Sequence, residues 1–183
     1  MLVIGLTGMP GAGKTEFVKI ARKKGFGVYR MGDAVWNWVK QMGLELTNDN
    51  VARIADSERG KHGRGIWAER TLETIEEKGK RIVIDGIRSP EEIEIFKNYF
   101  TNFVLVAVHA QRELRLKRLA GRKRVDDVKT IEDFTARDER ELRWGIGKVI
   151  ENADFLIVNE GSISKFRKDV VKLLDEVQNR FIF

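Results

Sequence analysis

The sequence predicts an α/β fold in which a parallel β-sheet is covered by helices on both faces. Short apolar runs alternate along the chain with longer amphipathic segments, which is typical of repeated βα units. These runs are apolar at successive positions, as expected for strands that are buried on both faces. The first run, residues 2–7, leads directly into a glycine-rich turn and a helix, so a ligand site is expected at the carboxyl edge of the sheet.

The glycine-rich turn fits the phosphate-binding motif GxxxxGK[ST] at every fixed position. In such a loop the backbone N–H groups point into a concavity, where they bind the phosphates of a nucleotide. All eight residues are therefore predicted to bind the nucleotide: Gly8, Met9, Pro10, Gly11, Ala12, Gly13, Lys14 and Thr15. Lys14 is also predicted to act in catalysis at the β- and γ-phosphates, and the Thr15 hydroxyl to bind Mg²⁺. ATP and Mg²⁺ are the expected cofactors, and the motif leaves a preference for ATP over GTP open.

Composition narrows the class of protein. The chain has 183 residues, a length that suits one domain, and its formal net charge of +6 favours anionic ligands. It has no cysteine, which excludes disulfides and thiolate metal sites and fits a cytoplasmic protein. No apolar run approaches the roughly 20 residues that span a bilayer. We expect no signal peptide, because the first residues already have the pattern of a strand.

A second strand is predicted over residues 25–30, and a helix is expected to follow Asp33. This aspartate falls at the carboxyl end of a strand, where open α/β sheets bind ligands, which predicts a catalytic role at the acceptor substrate. The sequence leaves open whether Asp33 acts as a base or only orients the acceptor. Asp33 would also serve as a helix N-cap, and the two roles are compatible. Trp36 and Trp38 are expected to pack in the interior or, for one of them, to stack on a ligand base.

Two further helices are predicted, one starting after Thr47 and one near Ile66. Residues 59–65 lie between them and are basic and interrupted by glycines. This composition predicts a loop, either one that is simply solvated or one that covers the substrate.

A third strand, predicted over residues 80–86, is continuously apolar before it reaches Asp85. A carboxylate at the tip of a strand suits a Mg²⁺–nucleotide site, where it would hold the metal directly or through water. Arg88 follows closely, and its guanidinium suits bidentate recognition of phosphate. Residues 89–92, Ser-Pro-Glu-Glu, predict the capped start of a helix.

The second half of the chain carries a basic segment. A fourth strand over residues 103–108 precedes residues 111–124, which are dense in lysine and arginine. Further elements are expected beyond it: a charged helix capped by Thr130 or Asp127, a glycine hinge at residues 145–147, a strand over residues 154–159 and a helix from Ile163.

Taken together, these motifs resemble a known group of enzymes. The order of motifs seen in adenylate kinases and other nucleoside monophosphate kinases is present here: the phosphate loop, Gly32-Asp33, Asp85-Gly86-Ile87-Arg88 and an arginine-rich segment. Residues 154–162, which precede the last predicted helix, look more like the corresponding segment of dephospho-CoA kinase. With residues 126–127 and 137–147 included, the chain is similar over nearly its full length to an archaeal family of nucleotide-kinase-like P-loop proteins.

The resemblance implies one P-loop kinase domain over residues 1–183, with a three-layer fold and a five-stranded parallel sheet. It also implies a helical acceptor-binding segment at about residues 33–79 and an arginine-rich lid at about residues 118–147. One departure concerns Trp36, which stands where nucleoside monophosphate kinases have the arginine that clamps the acceptor phosphate. This departure argues against AMP as the acceptor and leaves room for a bulkier or non-nucleotide acceptor.

The same resemblance implies roles for individual residues. Asp85 would hold Mg²⁺ through water, and Arg88 would contact the transferred and acceptor phosphates in catalysis. In the lid, Arg118 would bind the nucleotide, while Arg122 and Arg137 would act in catalysis. Further lid arginines are implied at Arg124 and Arg140.

We therefore expect an ATP- and Mg²⁺-dependent phosphotransferase that acts on a small phosphorylated or nucleotide-like acceptor. Phosphoryl transfer needs positioning and charge neutralisation rather than a protein nucleophile, which suits a chain rich in lysine and arginine. The alternative is a nucleotide-dependent RNA-binding or regulatory protein, suggested by the basic residues 112–124, although no clustered aromatics accompany them. A GTPase is less favoured because an N-K-x-D motif is missing. The identity of the acceptor and the oligomeric state are left open.

Overall fold

The computed structural model describes residues 1–76, 81–121 and 130–181. The strands in this part of the chain are β1 (Leu2–Thr7), β2 (Gly27–Arg30), β3 (Arg81–Ile87), β4 (Asn102–His109) and β5 (Phe155–Val158). They form one parallel sheet in the order β2-β3-β1-β4-β5. The predicted parallel five-stranded sheet is confirmed, and the strand ends differ from the predicted ones by one or two residues.

The helices lie in the connections between the strands and after β5. They are α1 (Lys14–Lys23), α2 (Met31–Gln41), α3 (Asn48–His62), α4 (Ile66–Leu72), α5 (Pro90–Tyr99), α6 (Arg112–Ala120), α7 (Ile131–Trp144), α8 (Ile146–Glu151) and α9 (Ile163–Arg180). Along the described parts of the chain, no helix has both the length and the apolar character needed to cross a membrane.

β1 occupies the centre of the sheet, and its side chains alternate between two cores. Leu2, Ile4 and Leu6 pack on one face against residues of α1 and α9. Val3 packs on the other face, in a core that α2, α3, α4, α5 and α8 also supply. Burial on both faces explains why the strand is continuously apolar. Because β1 pairs in parallel with β3 and β4, the carboxyl ends of the three strands lie together at one edge.

Three of the helix starts are fixed by the side chains that the sequence suggested. Thr47 caps α3 by accepting a hydrogen bond from the N–H of Asn50. Ser89 and Glu92 form a capping box at the start of α5, and Thr130, rather than Asp127, caps α7. Capping satisfies backbone donors that the first turn of a helix leaves unpaired.

Two local predictions are wrong. The N-cap of α2 is Arg30, and Asp33 is already inside the first turn, so Asp33 does not cap the helix. Residues 59–62 belong to α3 and are not a loop. The helix continues there because Arg59 is buried and its guanidinium lies 2.9 Å from Glu92, a partner that composition alone does not reveal.

Candidate functional site

The phosphate loop connects β1 to α1, and its glycines are required by the conformation. Gly8 and Gly13 have φ angles of 140° and 122°, which side-chain-bearing residues rarely adopt. A Cβ atom on Gly8 would lie 2.3 Å from the carbonyl oxygen of Val108, and one on Gly13 would lie 2.3 Å from Nδ2 of Asn159. The loop is therefore wrapped against β4 and the residue that follows β5, with no room for side chains on the inside.

Lys14 begins α1 at the end of this loop. Its ammonium group donates hydrogen bonds to the carbonyl oxygens of Gly8 and Met9. Burial lowers the pKa of Lys14 to about 8, although the charges of Asp85 and Glu141 oppose the shift. The ammonium group is thus held by loop carbonyls that phosphate oxygens can replace, and charged phosphates would restore its proton affinity.

Asp85 lies near the end of β3, beside the phosphate loop, and lines the same cleft as Thr15. Its Oδ1 atom is buried and accepts no hydrogen bond from residues 1–76, 81–121 or 130–181. A buried carboxylate oxygen without a donor is costly unless a cation or water satisfies it. Mg²⁺ prefers oxygen ligands, keeps several waters and is often bound through one carboxylate plus substrate phosphates. The carboxylate of Asp85 and the hydroxyl of Thr15 fit such an ion.

Asp33 lines the cleft from the first turn of α2, and Trp36 lines it from the next turn. Burial raises the pKa of Asp33 above its ordinary value, Arg30 opposes the rise, and the nearby carboxylate of Asp85 adds to it. A carboxyl group with a raised pKa is better able to accept a proton. Asp33 can therefore act as a base as well as bind a hydroxyl group.

Arg88 follows β3, and hydrogen bonds to Glu92 and Gly86 hold it in position. Its backbone N–H donates to Glu92 Oε2 at 2.6 Å, and its Nη1 donates to the carbonyl oxygen of Gly86 at 2.9 Å. The capping box that the sequence indicated at the start of α5 therefore also fixes the residue predicted to bind phosphate.

No local sequence pattern points to Glu141 as a site residue, yet it lines the cleft among the cations. Its side chain is only 4% exposed, and its Oε1 lies 3.5 Å from Nε of Arg88 and 3.5 Å from Nε of Arg137. Burial alone would raise the pKa of Glu141, but the positive charges of Arg88, Arg137 and Lys14 outweigh it and lower the pKa. Glu141 is therefore an ionised counter-ion that holds two arginines of the site together.

α6 supports the phosphate loop from the other side. Nη2 of Arg118 donates to the carbonyl oxygen of Asn159 at 2.8 Å, and Nδ2 of Asn159 donates to the carbonyl oxygen of Ala12 at 2.8 Å. Arg115 is buried and donates to the carbonyl oxygen of Pro10 at 3.1 Å. Asn159 and Arg115 were not assigned to the site from the sequence, because their partners lie more than a hundred residues away.

Most of the predicted site residues meet in one cleft of about 560 Å³. Those that line it are Pro10, Gly11, Gly13, Lys14, Thr15, Asp33, Asp85, Arg88, Arg118 and Arg137. Gly8, Met9 and Ala12 belong to the loop without lining the cleft, and Arg122 and Arg124 lie outside the described residues. A lid over residues 118–147 remains a prediction, of which the structure describes α6, α7 and the left-handed Gly145 that separates α7 from α8.

The sheet order, the phosphate loop and the cleft beside it define a P-loop protein with the fold of small-molecule and nucleotide kinases. Residues 4–142 match the family described as AAA domain. The chain is also 45% identical to the UPF0200 protein Ta0179 of Thermoplasma acidophilum over 174 residues, which covers 95% of this chain and 96% of that protein. The chain therefore belongs to the UPF0200 family of P-loop proteins.

Solved structures of two kinases share the fold. Shikimate kinase from Bacteroides thetaiotaomicron superposes with a TM-score of 0.63 at 16% identity, covering 97% of this chain and 98% of that one. Dephospho-CoA kinase from Campylobacter jejuni gives a TM-score of 0.57 at 19% identity, covering 98% of both chains. At such low identity the likeness establishes the architecture alone.

Proposed function

We propose that the protein is an ATP- and Mg²⁺-dependent phosphotransferase that moves the γ-phosphoryl group of ATP to a small phosphorylated or nucleotide-like acceptor. The observation that carries the proposal is the cleft itself. Lys14 of the phosphate loop, the carboxylate of Asp85, whose Oδ1 has no hydrogen-bond donor among the described residues, and the side chain of Asp33 all line this one space. A nucleotide and an acceptor bound there would be held side by side, which is the main requirement of phosphoryl transfer.

The residues can be assigned to steps of the transfer. An oxygen of the acceptor attacks the γ-phosphorus and forms a new P–O bond, while the bond from the γ-phosphorus to the bridging oxygen breaks and ADP leaves. Where the acceptor presents a hydroxyl group, its proton passes to Asp33. Lys14, Arg88 and Arg137 stabilise the charge that spreads over the transferred phosphoryl oxygens. Mg²⁺, when bound by Asp85 and Thr15, would neutralise charge on the β- and γ-phosphates.

The kinase fold of the structural relatives supports this proposal, since 97–98% of the chain is covered by superposition on enzymes named as kinases. The RNA-binding alternative has less support. Arg115, from the middle of the basic segment, is buried against Asp138 rather than exposed, and Arg118 bonds to the carbonyl oxygen of Asn159. The segment is thus partly structural, which leaves fewer of its charges for a polyanion.

The test is a transfer screen with ATP labelled on the γ-phosphate. Purified protein and Mg²⁺ are incubated with nucleoside monophosphates, dephospho-CoA, small hydroxy acids and RNA ends, and labelled product is separated from labelled ATP. We expect label to appear on one small acceptor and not on RNA. Transfer to RNA alone would contradict the proposal, as would the absence of transfer to every small molecule from a protein that binds ATP.

A further inference from the structure

A second, smaller cavity lies between α2, α3 and α7. Its volume is about 70 Å³, and it shares Gly32, Trp36, Arg88, Arg137 and Glu141 with the lining of the main cleft. Sites for whole ligands usually measure about 300–1,000 Å³. This side cavity therefore has room for the end of a molecule whose other end lies in the main cleft.

Two arginines that the proposed transfer does not use line the side cavity. The side chain of Arg59 is 5% exposed, and its Nη2 is paired with Glu92 at 2.9 Å, but its Nε is buried and donates no hydrogen bond within the described chain. Nε of Arg140 is likewise buried without an acceptor among those residues. Burial and the charge of Arg137 lower the pKa of Arg140, and the carboxylates of Asp56 and Glu141 only partly oppose this shift. Buried donors without acceptors are rare in folded proteins and indicate a missing partner.

Aromatic walls keep these donors away from bulk water. The guanidinium carbon of Arg59 lies 4.1 Å from the ring centre of Trp144, and that of Arg140 lies 5.7 Å from it. The indole is itself fixed, because its Nε1 donates to Asp56 Oδ1 at 2.6 Å. Trp36 and Trp67 also line the cavity. Electrostatic attraction between an anion and a guanidinium is stronger in such surroundings than in water.

We propose that the side cavity binds an anionic oxygen group, a carboxylate or a phosphate, at the non-reacting end of the acceptor. This inference rests on the proposed function, because it assumes that the reacting end lies in the main cleft. Four guanidinium groups line the cavity, those of Arg59, Arg88, Arg137 and Arg140. Among the described residues, Glu141 lies beside Arg88 and Arg137, Glu92 pairs with Arg59, and the charge of Asp56 acts on Arg140. The excess of positive charge and the small volume select a compact anion over a neutral group or a nucleobase.

The binding test uses tryptophan fluorescence, since Trp36, Trp67 and Trp144 line the cavity. The protein is first saturated with ADP and Mg²⁺, which occupies the phosphate loop, and is then titrated with inorganic phosphate or with acetate. We expect a saturable fluorescence change with one or both anions. The anion that binds with the higher affinity identifies the bound group as a carboxylate or a phosphate. The affinity for the anion, taken from the titration midpoint, should be lower by about tenfold or more in Arg140→Gln, because a hydrogen bond to a charged group is lost.

Arg143→Gln is the matched control, because Arg143 is an exposed arginine on the same helix that lines neither cavity. It should bind the anions as the natural protein does. Arg140→Lys provides a second variant, to be used if Arg140→Gln does not fold. It keeps the charge and should bind the anion with intermediate affinity. A fluorescence change that is absent, or equal in the natural protein and both Arg140 variants, would overturn the inference. Failure of ADP to bind in the first step would instead contradict the proposed function.

Discussion

The carboxylate of Asp138 accepts two hydrogen bonds from the guanidinium of Arg115, at 2.9 Å from Nη1 and 2.6 Å from Nη2. Both side chains are about nine-tenths buried. Because Arg115 Nη1 also donates to the carbonyl oxygen of Pro10, this pair joins α6, α7 and the phosphate loop. The basic face of α6 is therefore partly a support for the loop.

Removing one partner of this pair should destabilise the fold. Asp138→Asn leaves the buried guanidinium of Arg115 without its counter-charge, and we expect the free energy of unfolding to fall by about 3–5 kcal/mol. Equilibrium denaturation measures this change. Asp169→Asn is the control, since Asp169 pairs with Lys165 on an exposed surface of α9 and should cost about 0.5 kcal/mol or less. Equal effects of the two substitutions would show that the buried pair has no special role.

ATP affinity should depend on pH through Lys14. Its pKa is about 8 in the unliganded protein, and bound phosphates favour the protonated form. Below pH 8 the lysine is already charged. Above pH 8 binding must include uptake of a proton, so affinity should fall by up to tenfold per pH unit. Calorimetry of ATP with Mg²⁺ between about pH 7.5 and 9.5 tests this, and an affinity that stays constant across the range would contradict it.

Asp85 should be needed for the gain in ATP affinity that Mg²⁺ provides, and not for binding of the nucleotide without the metal. In Asp85→Asn we expect the gain in ATP affinity on adding Mg²⁺ to shrink by about tenfold or more, as for other outer-sphere partners of a metal. Titration of ATP with and without Mg²⁺ measures this gain. Asp33→Asn, a second aspartate of the same cleft, should retain it. Loss of the gain in both variants, or in neither, would remove Asp85 from the metal site.

Arg137 should contribute to the transfer step more than to nucleotide binding. Arg137→Ala is expected to lower kcat by about a hundredfold, the cost of removing one charge-stabilising donor, with a smaller change in ATP affinity. The same split is expected for Arg122→Ala if that residue also belongs to the lid. Arg143→Ala, an exposed arginine of α7, should change neither quantity. Equal losses of rate and affinity in Arg137→Ala would contradict a role for Arg137 in the transfer step beyond nucleotide binding.

The parts of the site that were predictable are those that local sequence determines. The phosphate loop uses consecutive backbone groups, and its glycines are needed where residues 8–13 approach other chain segments. The strands are indicated by continuous hydrophobicity. The capping box of Ser89 and Glu92 involves only four consecutive residues. Each of these features depends on neighbours that are visible in a short window of sequence.

The parts that were not predictable depend on distant partners. Glu141 lies in a run of charged residues that is typical of a solvated helix, yet Arg88, fifty-three residues earlier, holds it in the cleft. The local composition around Arg59 predicts a loop, because its partners Glu92 and Trp144 are remote in sequence. A buried charge is stable only when it is paired, and pairing is a property of the tertiary structure.

Every role assigned to the cleft depends on one property of the protein, that the loop ending in Lys14 binds a magnesium-complexed nucleotide. Calorimetric titration with ATP and Mg²⁺ tests it most directly, with Lys23→Ala, an exposed lysine of the same helix, as the control for Lys14→Ala. We predict saturable binding to the natural protein and to Lys23→Ala, and binding to Lys14→Ala that is weaker by about a hundredfold, the cost of removing one partner of a buried charge pair. No binding to the natural protein, or equal binding to all three proteins, would contradict the claim.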